Sequence, residues 1–203
     1  TGVGTSGSLS WTNGINVVGN SNEFDINLIV TPGINSKQQL ALVNTAIDMV
    51  EDRGECFYIA DPAGKDDNIA AFNDAVSTLD TSFAGGYYPW VKIMDSDRNK
   101  PMWVPPSVIM PAVFAYNDKV GFEWFAPAGF KRGSLDNVIE TKEFLNKIDL
   151  DSLYSNKVNP IATFNGEVVV WGQKTLQTKS SALDRINVRR LIIKAKKFIA
   201  SVT

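Results

Sequence analysis

The fold is decided by residues 23–60, which read EFDINLIVTPGINSKQQLALVNTAIDMVEDRGECFYIA. Glu23–Val30 alternates and then becomes fully apolar, as a strand does when it enters a protein core. Farther along, apolar residues recur at spacings of three and four, which predicts a helix with one apolar stripe. Cys56–Ala60 is a second apolar run and is predicted to be a core strand that buries the cysteine thiol. The helical positions are Leu40, Val43, Ile47 and Val50.

The same pattern repeats farther along the chain. Ser36 and Gln39 have the spacing of a capping box, and Gly54 suits the position just after the first helix. Asp67 is a candidate cap for a second helix, and Tyr87–Met94 is predicted to be a third strand. This order of strands and helices predicts an α/β fold with a mostly parallel sheet, flanking helices and right-handed crossovers. The second helix has its apolar stripe at Ile69, Phe72, Val76 and Leu79.

Composition excludes several kinds of catalytic and metal site. The 203 residues include no histidine and one cysteine, and the formal net charge is −2. Without histidine there can be no Ser-His-Asp or Cys-His nucleophilic site and no histidine-ligated zinc. A single cysteine also rules out an internal disulfide and a cysteine-based metal cluster. No cofactor is predicted, and no apolar run reaches the ~18 residues of a membrane-spanning helix.

The second half of the chain carries weaker local signals. Val108–Tyr116 is predicted to be helical, with Pro111 in the first turn. Asp151–Asn156 resembles a short helix, whereas the preceding Leu135–Asp149 mixes helix and strand signals and stays open. An Asn-Gly pair at residues 165–166, between two apolar runs, predicts a β-hairpin.

The last segment is predicted to be an amphipathic helix with one apolar and one basic face. Residues 184–203 contain six basic residues and one acidic residue, whereas Asp48–Asp67 contains seven acidic and two basic residues. The basic face is either simply solvated or docks on an acidic partner, and opposite patches on one chain suit head-to-tail self-assembly. Nucleic acid is a less favoured partner, because the chain is acidic overall and the basic stripe lacks interleaved aromatic residues. The apolar positions are Val188, Leu191, Ile192, Ala195, Phe198, Ile199 and Val202, and the candidate interface residues are Arg185, Arg189, Arg190, Lys194, Lys196 and Lys197.

Six motifs in a fixed order resemble those of the contractile-tail sheath proteins of bacteriophages and related injection machines. They span roughly Phe83 to Leu191, and the last two are the most specific. The chain departs from the family pattern at Lys174, where arginine is usual, and at Val108–Pro111, where small residues are usual. The motifs are Tyr87-Tyr88-Pro89-Trp90-Val91, Val104-Pro105-Pro106-Ser107, Trp124-Phe125-Ala126-Pro127-Ala128-Gly129, Val158-Asn159-Pro160-Ile161, Val170-Trp171-Gly172-Gln173-Lys174-Thr175-Leu176 and Ile186-Asn187-Val188-Arg189-Arg190-Leu191.

The resemblance implies a structural subunit rather than an enzyme. Sheath subunits form six-fold rings that stack into a helical tube around an inner tail tube, and the sheath contracts to drive that tube through the host envelope. The implied partners are neighbouring sheath subunits and the inner tube protein, and the implied location is the tail sheath of a virion assembled in the host bacterial cytoplasm. The family's core domain is described as subtilisin-like, which in a chain without histidine can be an architectural likeness only.

The resemblance also implies how the chain divides. Residues 1–20, which begin with many glycines, serines and threonines, are predicted to be a flexible or truncated segment. Residues 21–130 are predicted to form the α/β core domain. Residues 131–203 would complete the core and begin an α+β C-terminal domain near the tube, which includes the hairpin and the basic helix. Family members carry strand-forming arms at both termini, so a protease-resistant core fragment without them is expected to be monomeric.

The alternative is an α/β domain that binds a small molecule, or an enzyme without histidine. Such domains bind their ligands at the carboxyl ends of the strands, so the alternative predicts a concave site near Thr31 or Asp61. Under the sheath interpretation, the six basic residues instead form the inner or inter-subunit face, and there is no catalytic, cofactor or metal site.

Overall fold

A computed structural model of the protein describes residues 5–202, with side chains from residue 7 onward. The chain forms a five-stranded sheet covered by helices and a second, three-stranded sheet. No helix in the described range is long and apolar enough to cross a lipid bilayer. In chain order, the elements are α1 (Thr5–Val18), β1 (Leu28–Asn35), α2 (Ser36–Arg53), β2 (Phe57–Asp61), α3 (Ile69–Ser77), β3 (Ala84–Tyr88), β4 (Val91–Asp95), β5 (Lys100–Val104), α4 (Pro106–Val120), β6 (Val138–Thr141), α5 (Lys147–Ser155), β7 (Val158–Phe164), β8 (Glu167–Val170) and α6 (Ile186–Val202).

The large sheet has the strand order β1-β2-β3-β7-β8. Its first four strands are parallel, and β8 pairs antiparallel with β7. Parallel neighbours need a crossover connection, which α2 supplies between β1 and β2 and α3 supplies between β2 and β3. In the small sheet, β4 pairs antiparallel with both β5 and β6. The predicted α/β class is therefore confirmed as a mixed α/β fold with a mostly parallel sheet.

Helices bury both faces of the large sheet, so the core has two apolar layers. α1, α2, α3 and α5 cover one face, and α4 and α6 cover the other. Cys56 is fully buried in the first layer, as predicted, and burial raises the pKa of its thiol. Large buried side chains of the first layer include Tyr58, Phe72, Tyr88 and Leu153, and those of the second include Phe57, Tyr87, Phe114 and Ile161.

The prediction that the N-terminal segment is flexible needs correction, because helix α1 occupies most of it. Glycine, serine and threonine give this helix a weak intrinsic propensity. Tertiary contacts stabilise it, since Ile15 is 4% exposed within the first core layer, and Trp11 and Val18 pack against that layer. Burial of an apolar face, rather than propensity, stabilises most protein helices. Residues 1–4 of the predicted segment lie outside the described residues.

The start of α2 differs from the predicted capping box by one residue. The N-cap is Asn35, whose side chain accepts a hydrogen bond from the Gln38 amide at 3.0 Å. The Gln39 side chain accepts a bond from the Asn35 amide at 3.1 Å. The Ser36 hydroxyl instead donates to the carbonyl oxygen that follows β2. Because asparagine caps helices about as well as serine, the last residue of β1 takes the capping role.

The other helix boundaries are partly as predicted. α3 begins after an Asn68 cap, not an Asp67 cap. Gly54 lies just after α2 and caps it, as predicted, and its φ of 63° is the left-handed conformation that favours glycine. α4 begins at Pro106, so Pro111 lies in the interior of the helix and not in its first turn. Proline suits the first helical position because no intrahelical bond needs its missing amide there.

The predicted third strand, Tyr87–Met94, is in fact parts of two strands in different sheets. β3 ends at Tyr88 and β4 begins at Val91, and the chain turns between them at Pro89 and Trp90. Proline has no amide hydrogen, so it cannot continue a hydrogen-bonded ladder in the middle of a sheet. The continuous apolar run was therefore predicted as one strand, although the chain passes from the large sheet to the small sheet within it.

The hairpin prediction is confirmed, but its predicted domain is not. β7 and β8 pair up to Phe164 and Glu167, and Asn165 and Gly166 between them both have positive φ. β7 also pairs with β3, so the hairpin completes the core sheet instead of beginning a C-terminal domain. The segment that the sequence left open contains β6 and the start of α5, which begins earlier than predicted, at Lys147.

Candidate assembly surface

Helix α6 lies on the same side of the large sheet as α4 and turns its arginines toward the protein body. Ile186, Arg189, Arg190 and Ile193 are its buried residues. Their spacings of three and four place them along one side of the helix. The face that the sequence predicted as a basic docking surface is therefore largely directed inward.

Arg190 joins α6 to α4 through a bidentate ion pair. Its Nη1 and Nη2 atoms lie 2.8 and 2.6 Å from the two carboxylate oxygens of Asp118, and Nη1 also donates to the Glu123 carbonyl oxygen at 3.1 Å. The guanidinium lies 4.9 Å from the centre of the Phe114 ring. Two parallel bonds fix the planar guanidinium in one orientation, which the single ammonium of lysine cannot match.

Arg189 is the second buried arginine of the helix. Its guanidinium carbon lies 3.9 Å from the centre of the Phe83 ring, and Nη2 donates a hydrogen bond to the Ser82 hydroxyl. Burial lowers the pKa of this guanidinium. Stacking on an aromatic ring is favourable for a partly desolvated arginine, so Arg189 fixes α6 to the segment just before β3.

The three candidate lysines also bond within the chain. Lys194 Nζ lies 3.0 Å from Glu123 Oε1, and Lys196 donates to the last carbonyl oxygen of α2 at 2.9 Å. Lys197 Nζ lies 2.6 Å from Asp25 Oδ1. The hydrogen bond and charge of Lys197 hold the pKa of Asp25 below its usual range.

Arg185 completes the set of six and donates to the Tyr154 hydroxyl. Five of the six candidates lie on α6, and Arg185 directly precedes it. Their bonds attach this helix to several parts of the domain. The side chains of Arg185 and Lys194 are 41% and 50% exposed, so both retain substantial contact with solvent. The sequence contained a signal for this orientation, because a second set of residues with helical spacing includes the buried isoleucines and arginines. This set is Ile186, Arg189, Arg190, Ile193 and Lys197.

The outward face of α6 is the apolar row. Leu191 is 41% exposed, Ile192 47%, Phe198 66% and Val202 67%. Ala195, at the middle of the row, is also exposed. A row of large apolar side chains on one exposed helix face is typical of a protein interaction site. The sequence identified these residues but did not predict that they would face solvent.

Aromatic rings from the loop after α4 extend this apolar surface. The rings of Phe122 and Trp124 stack at 4.6 Å with 3° between their planes, and Phe125 lies 6.1 Å from Phe122. All three are at least 37% exposed. The Asn187 side chain of α6 donates to the Trp124 carbonyl oxygen at 3.3 Å, so the loop lies beside the helix.

At the strand ends where the small-molecule alternative expects a ligand, the side chains of Thr31 and Asp61 are hydrogen-bonded within the chain. The Thr31 Oγ1 atom lies 2.7 Å from the Tyr58 hydroxyl oxygen. Asp61 is 3% exposed and accepts bonds from the Ser107 amide at 3.1 Å and the Ser107 hydroxyl at 2.5 Å. Because Pro105 offers no capping side chain, Asp61 caps α4 from a neighbouring strand. The described residues include no cluster of three or more histidine, cysteine or acidic side chains suited to a metal ion.

Asp61 is expected to make stability fall as pH rises. Burial raises its pKa to about 7, although the two bonds from Ser107 oppose that shift. An unfolded aspartate has a pKa of about 3.9, so the native state holds a proton that the unfolded state has lost. The stability gained from that proton is fully present below pH ~4 and is lost as pH rises through ~7. Between pH 5 and pH 8, we expect the free energy of unfolding of the wild type to fall by about 2–3 kcal/mol relative to that of Asp61→Asn. Urea unfolding at the two pH values would measure the difference.

The matched control is Asp25→Asn, which removes an exposed carboxylate whose pKa is lowered. Its stability difference from wild type should stay constant between pH 5 and pH 8, because the carboxylate is ionised throughout that range. A difference between wild type and Asp61→Asn that does not change with pH would refute the raised pKa.

Comparisons with a family profile and with individual proteins both find phage tail sheath proteins. The family profile described as "Phage tail sheath protein central domain" matches residues 7–176. The chain is 39% identical over 127 residues to the tail sheath protein of Vibrio phage KVP40 (isolate Vibrio parahaemolyticus/Japan/Matsuzaki/1991). That alignment covers 62% of this chain but 18% of the phage protein, so the chain spans a small part of this relative.

Solved structures share the fold over nearly the whole chain. A chain of the anti-feeding prophage (AFP) baseplate has a TM-score of 0.76 at 21% identity, covering 98% of this chain and 50% of that chain. A chain of the PVC sheath complex, an extracellular contractile injection system in its contracted state, has a TM-score of 0.72 at 25% identity. That match covers 92% of this chain and 50% of the PVC chain.

Proposed function

The chain belongs to the phage tail sheath protein family, and from this membership we propose that it is the central, non-catalytic part of a contractile-sheath subunit. The observation that carries the proposal is the family match over residues 7–176, which includes every strand of both sheets. A structural role agrees with the capping function of Asp61, the most deeply buried carboxylate near the strand ends.

The finer details are proposed from the family. Subunits would stack as six-fold rings around an inner tail tube and contract to drive that tube through the host envelope. The subunit would lie in the tail sheath of a virion and would assemble in the host bacterial cytoplasm. The likeness of the α/β core to subtilisin and the continuation into a C-terminal domain near the tube are part of the same proposal.

The interface role of the basic helix is proposed in a revised form. Arg189, Arg190 and Lys197 would hold α6 on the domain, because their charged groups are bonded within the chain. Lys194 and Lys196 would border the outward apolar row, since they flank it on opposite sides of the helix. Any contact with the inner tube would then use the apolar row together with these two lysines.

A chimera tests the proposed function directly. We expect a Vibrio phage KVP40 sheath protein that carries this chain in place of its matching segment to assemble into hollow tubes. The reason is that the two segments are 39% identical, so the core should fold and leave the rest of the phage protein to polymerise. Negative-stain electron microscopy would show the tubes, and their end views should be six-fold.

The unmodified phage protein is the positive control for assembly. A chimera with native-like circular dichroism that remains as dispersed particles under conditions where the unmodified protein forms tubes would contradict the proposal. A misfolded chimera is recognised by its circular dichroism spectrum, and the junctions would then be moved into neighbouring loops before the comparison is repeated.

A further inference from the structure

The strand β5 forms one edge of the small sheet. It pairs antiparallel with β4, from Val91 opposite Val104 to Asp95 opposite Lys100. In the described part of the chain, β5 has a neighbouring strand on the β4 side alone, because the strand order of the sheet is β5-β4-β6. An edge strand presents a row of backbone amides and carbonyl oxygens with which another chain can pair. The outer edge of β5 is therefore a place where two copies could join their sheets.

The proline in β5 shows which backbone groups face that outer edge. Pro101 lies opposite Met94 of β4. In an antiparallel pair, opposite residues exchange either two hydrogen bonds or none, and the two kinds of pair alternate along the ladder. Proline has no amide hydrogen to exchange, so Pro101 and Met94 form a pair of the second kind. By alternation, Met102 bonds to Ile93, whereas the backbone groups of Trp103 point away from β4.

The pairing on the other side of β4 leads to the same orientation. β4 is the central strand, so each of its residues directs its backbone groups either to β5 or to β6. The carbonyl oxygen of Trp90, just before β4, accepts a hydrogen bond at 2.8 Å from the amide of Lys142, just after β6. Lys92 lies two residues after Trp90 and opposite Glu140, so its backbone groups also face β6. Trp103 lies opposite Lys92, and its backbone groups therefore face the outer edge of β5.

The missing amide hydrogen weakens this outer edge as a pairing site. Both Pro101 and Trp103 direct a carbonyl oxygen outward, but only Trp103 also directs an amide hydrogen outward. A strand paired along this edge would leave one of its own carbonyl oxygens without a donor, and an unmade hydrogen bond at a buried site is costly. Proline is found on sheet edges for this reason. Its missing amide hydrogen is a covalent property that does not depend on what surrounds the strand.

The side chains near this edge would otherwise favour pairing. Met102, Trp103 and Val104 form an apolar run that includes an aromatic and a β-branched residue, which are typical of strands. Met102 and Met94, on adjacent strands, are 42% and 50% exposed. An apolar edge strand that is open to pairing is a site of aggregation. A local device that prevents pairing is therefore useful at β5.

We propose that Pro101 keeps the edge of the small sheet from pairing with a second copy of the chain. The pairing that it prevents is antiparallel, with Met102 on the two-fold axis and residue 101 of each copy opposite Trp103 of the other. Each of these facing pairs exchanges one hydrogen bond when residue 101 is proline and two when residue 101 has an amide hydrogen. This inference goes beyond the proposed function, because it concerns the chain by itself.

Two single variants separate the missing amide hydrogen from strand propensity. Pro101→Val restores an outward amide, and Met102→Val introduces the same β-branched side chain where the amide already faces β4. In sedimentation velocity at rising concentration, we expect Pro101→Val to dimerise about tenfold more tightly than wild type, because backbone hydrogen bonds are added across the interface. Met102→Val should associate no more than wild type does. Equal association of the two variants would overturn the proposal.

Amide hydrogen exchange, followed by NMR, tests the orientation of β5 without any substitution. In the wild type, the Met102 amide should exchange slowly and the Trp103 amide quickly, because only the former is bonded to β4. A Trp103 amide that exchanges as slowly as that of Met102 would overturn the proposal, because the outer edge would already be bonded. In the Pro101→Val dimer, the Trp103 amide should become protected. A dimer in which it still exchanges quickly would also overturn the proposal, because the copies would then pair elsewhere.

Discussion

Replacing Arg190 with methionine is expected to lower the free energy of unfolding by about 3 kcal/mol, because it leaves a partly buried carboxylate without its partner. The arginine side chain is 5% exposed and that of Asp118 is 31% exposed. Removing the guanidinium also leaves the Glu123 carbonyl oxygen without a hydrogen bond. Urea unfolding followed by circular dichroism would measure the change.

The matched control on the same helix is Lys194→Met. The ion pair between Lys194 and Glu123 spans 3.0 Å, but the lysine side chain is 50% exposed, so its removal should cost no more than about 1 kcal/mol. Equal losses in the two variants would contradict an anchoring role for Arg190. The double variant Arg190→Met with Asp118→Leu should recover much of the loss, because no unpaired charge remains.

Asn159→Ala is expected to destabilise the protein by about 3–5 kcal/mol, which is a large share of the total stability of a typical domain. The fully buried side chain of Asn159 donates to the Gly86 carbonyl oxygen at 3.0 Å and to the Lys174 carbonyl oxygen at 2.8 Å. It also accepts a bond from the Lys174 amide at 2.6 Å. Alanine would leave these three backbone groups without their partner, and thermal and urea unfolding would report the loss.

Asn156→Ala provides the comparison for this prediction. Asn156 is exposed and makes one side-chain bond, to the Ser152 carbonyl oxygen at 2.8 Å, so its replacement should change stability by less than about 1 kcal/mol. The lack of a side chain at Gly172 belongs to the same arrangement, because a Cβ there would lie 2.9 Å from Asn159 Oδ1. Equal stability of the two alanine variants would show that Asn159 does not join β3, β7 and the segment after β8.

Local sequence signals predicted the structure well where the conformation of one or two adjacent residues decides it. The Asn-Gly turn at residues 165–166 and the glycine at the end of α2 were predicted correctly, because each depends on a backbone conformation that few residues adopt. The split of Tyr87–Met94 between two sheets was missed. A continuous apolar run gives no indication of which strand will become its partner.

The N-terminal helix is an element that local composition did not predict. Its glycine, serine and threonine content predicted a flexible segment, yet Ile15 is buried in the core layer that α2 builds. Burial against a distant element outweighed weak propensity, and the sequence alone does not specify that contact.

By itself, the sequence determined the α/β class, the absence of a histidine-based catalytic site and the family resemblance, because these follow from periodicity, composition and ordered motifs. It also determined that α6 has an apolar and a basic side. Only the tertiary structure decided which side faces the core. Asp118 and Phe83 lie far from α6 in the sequence, and only folding brings them close enough to compensate the desolvation of Arg189 and Arg190. With the arginines turned inward, the apolar row is left on the outer side of the helix.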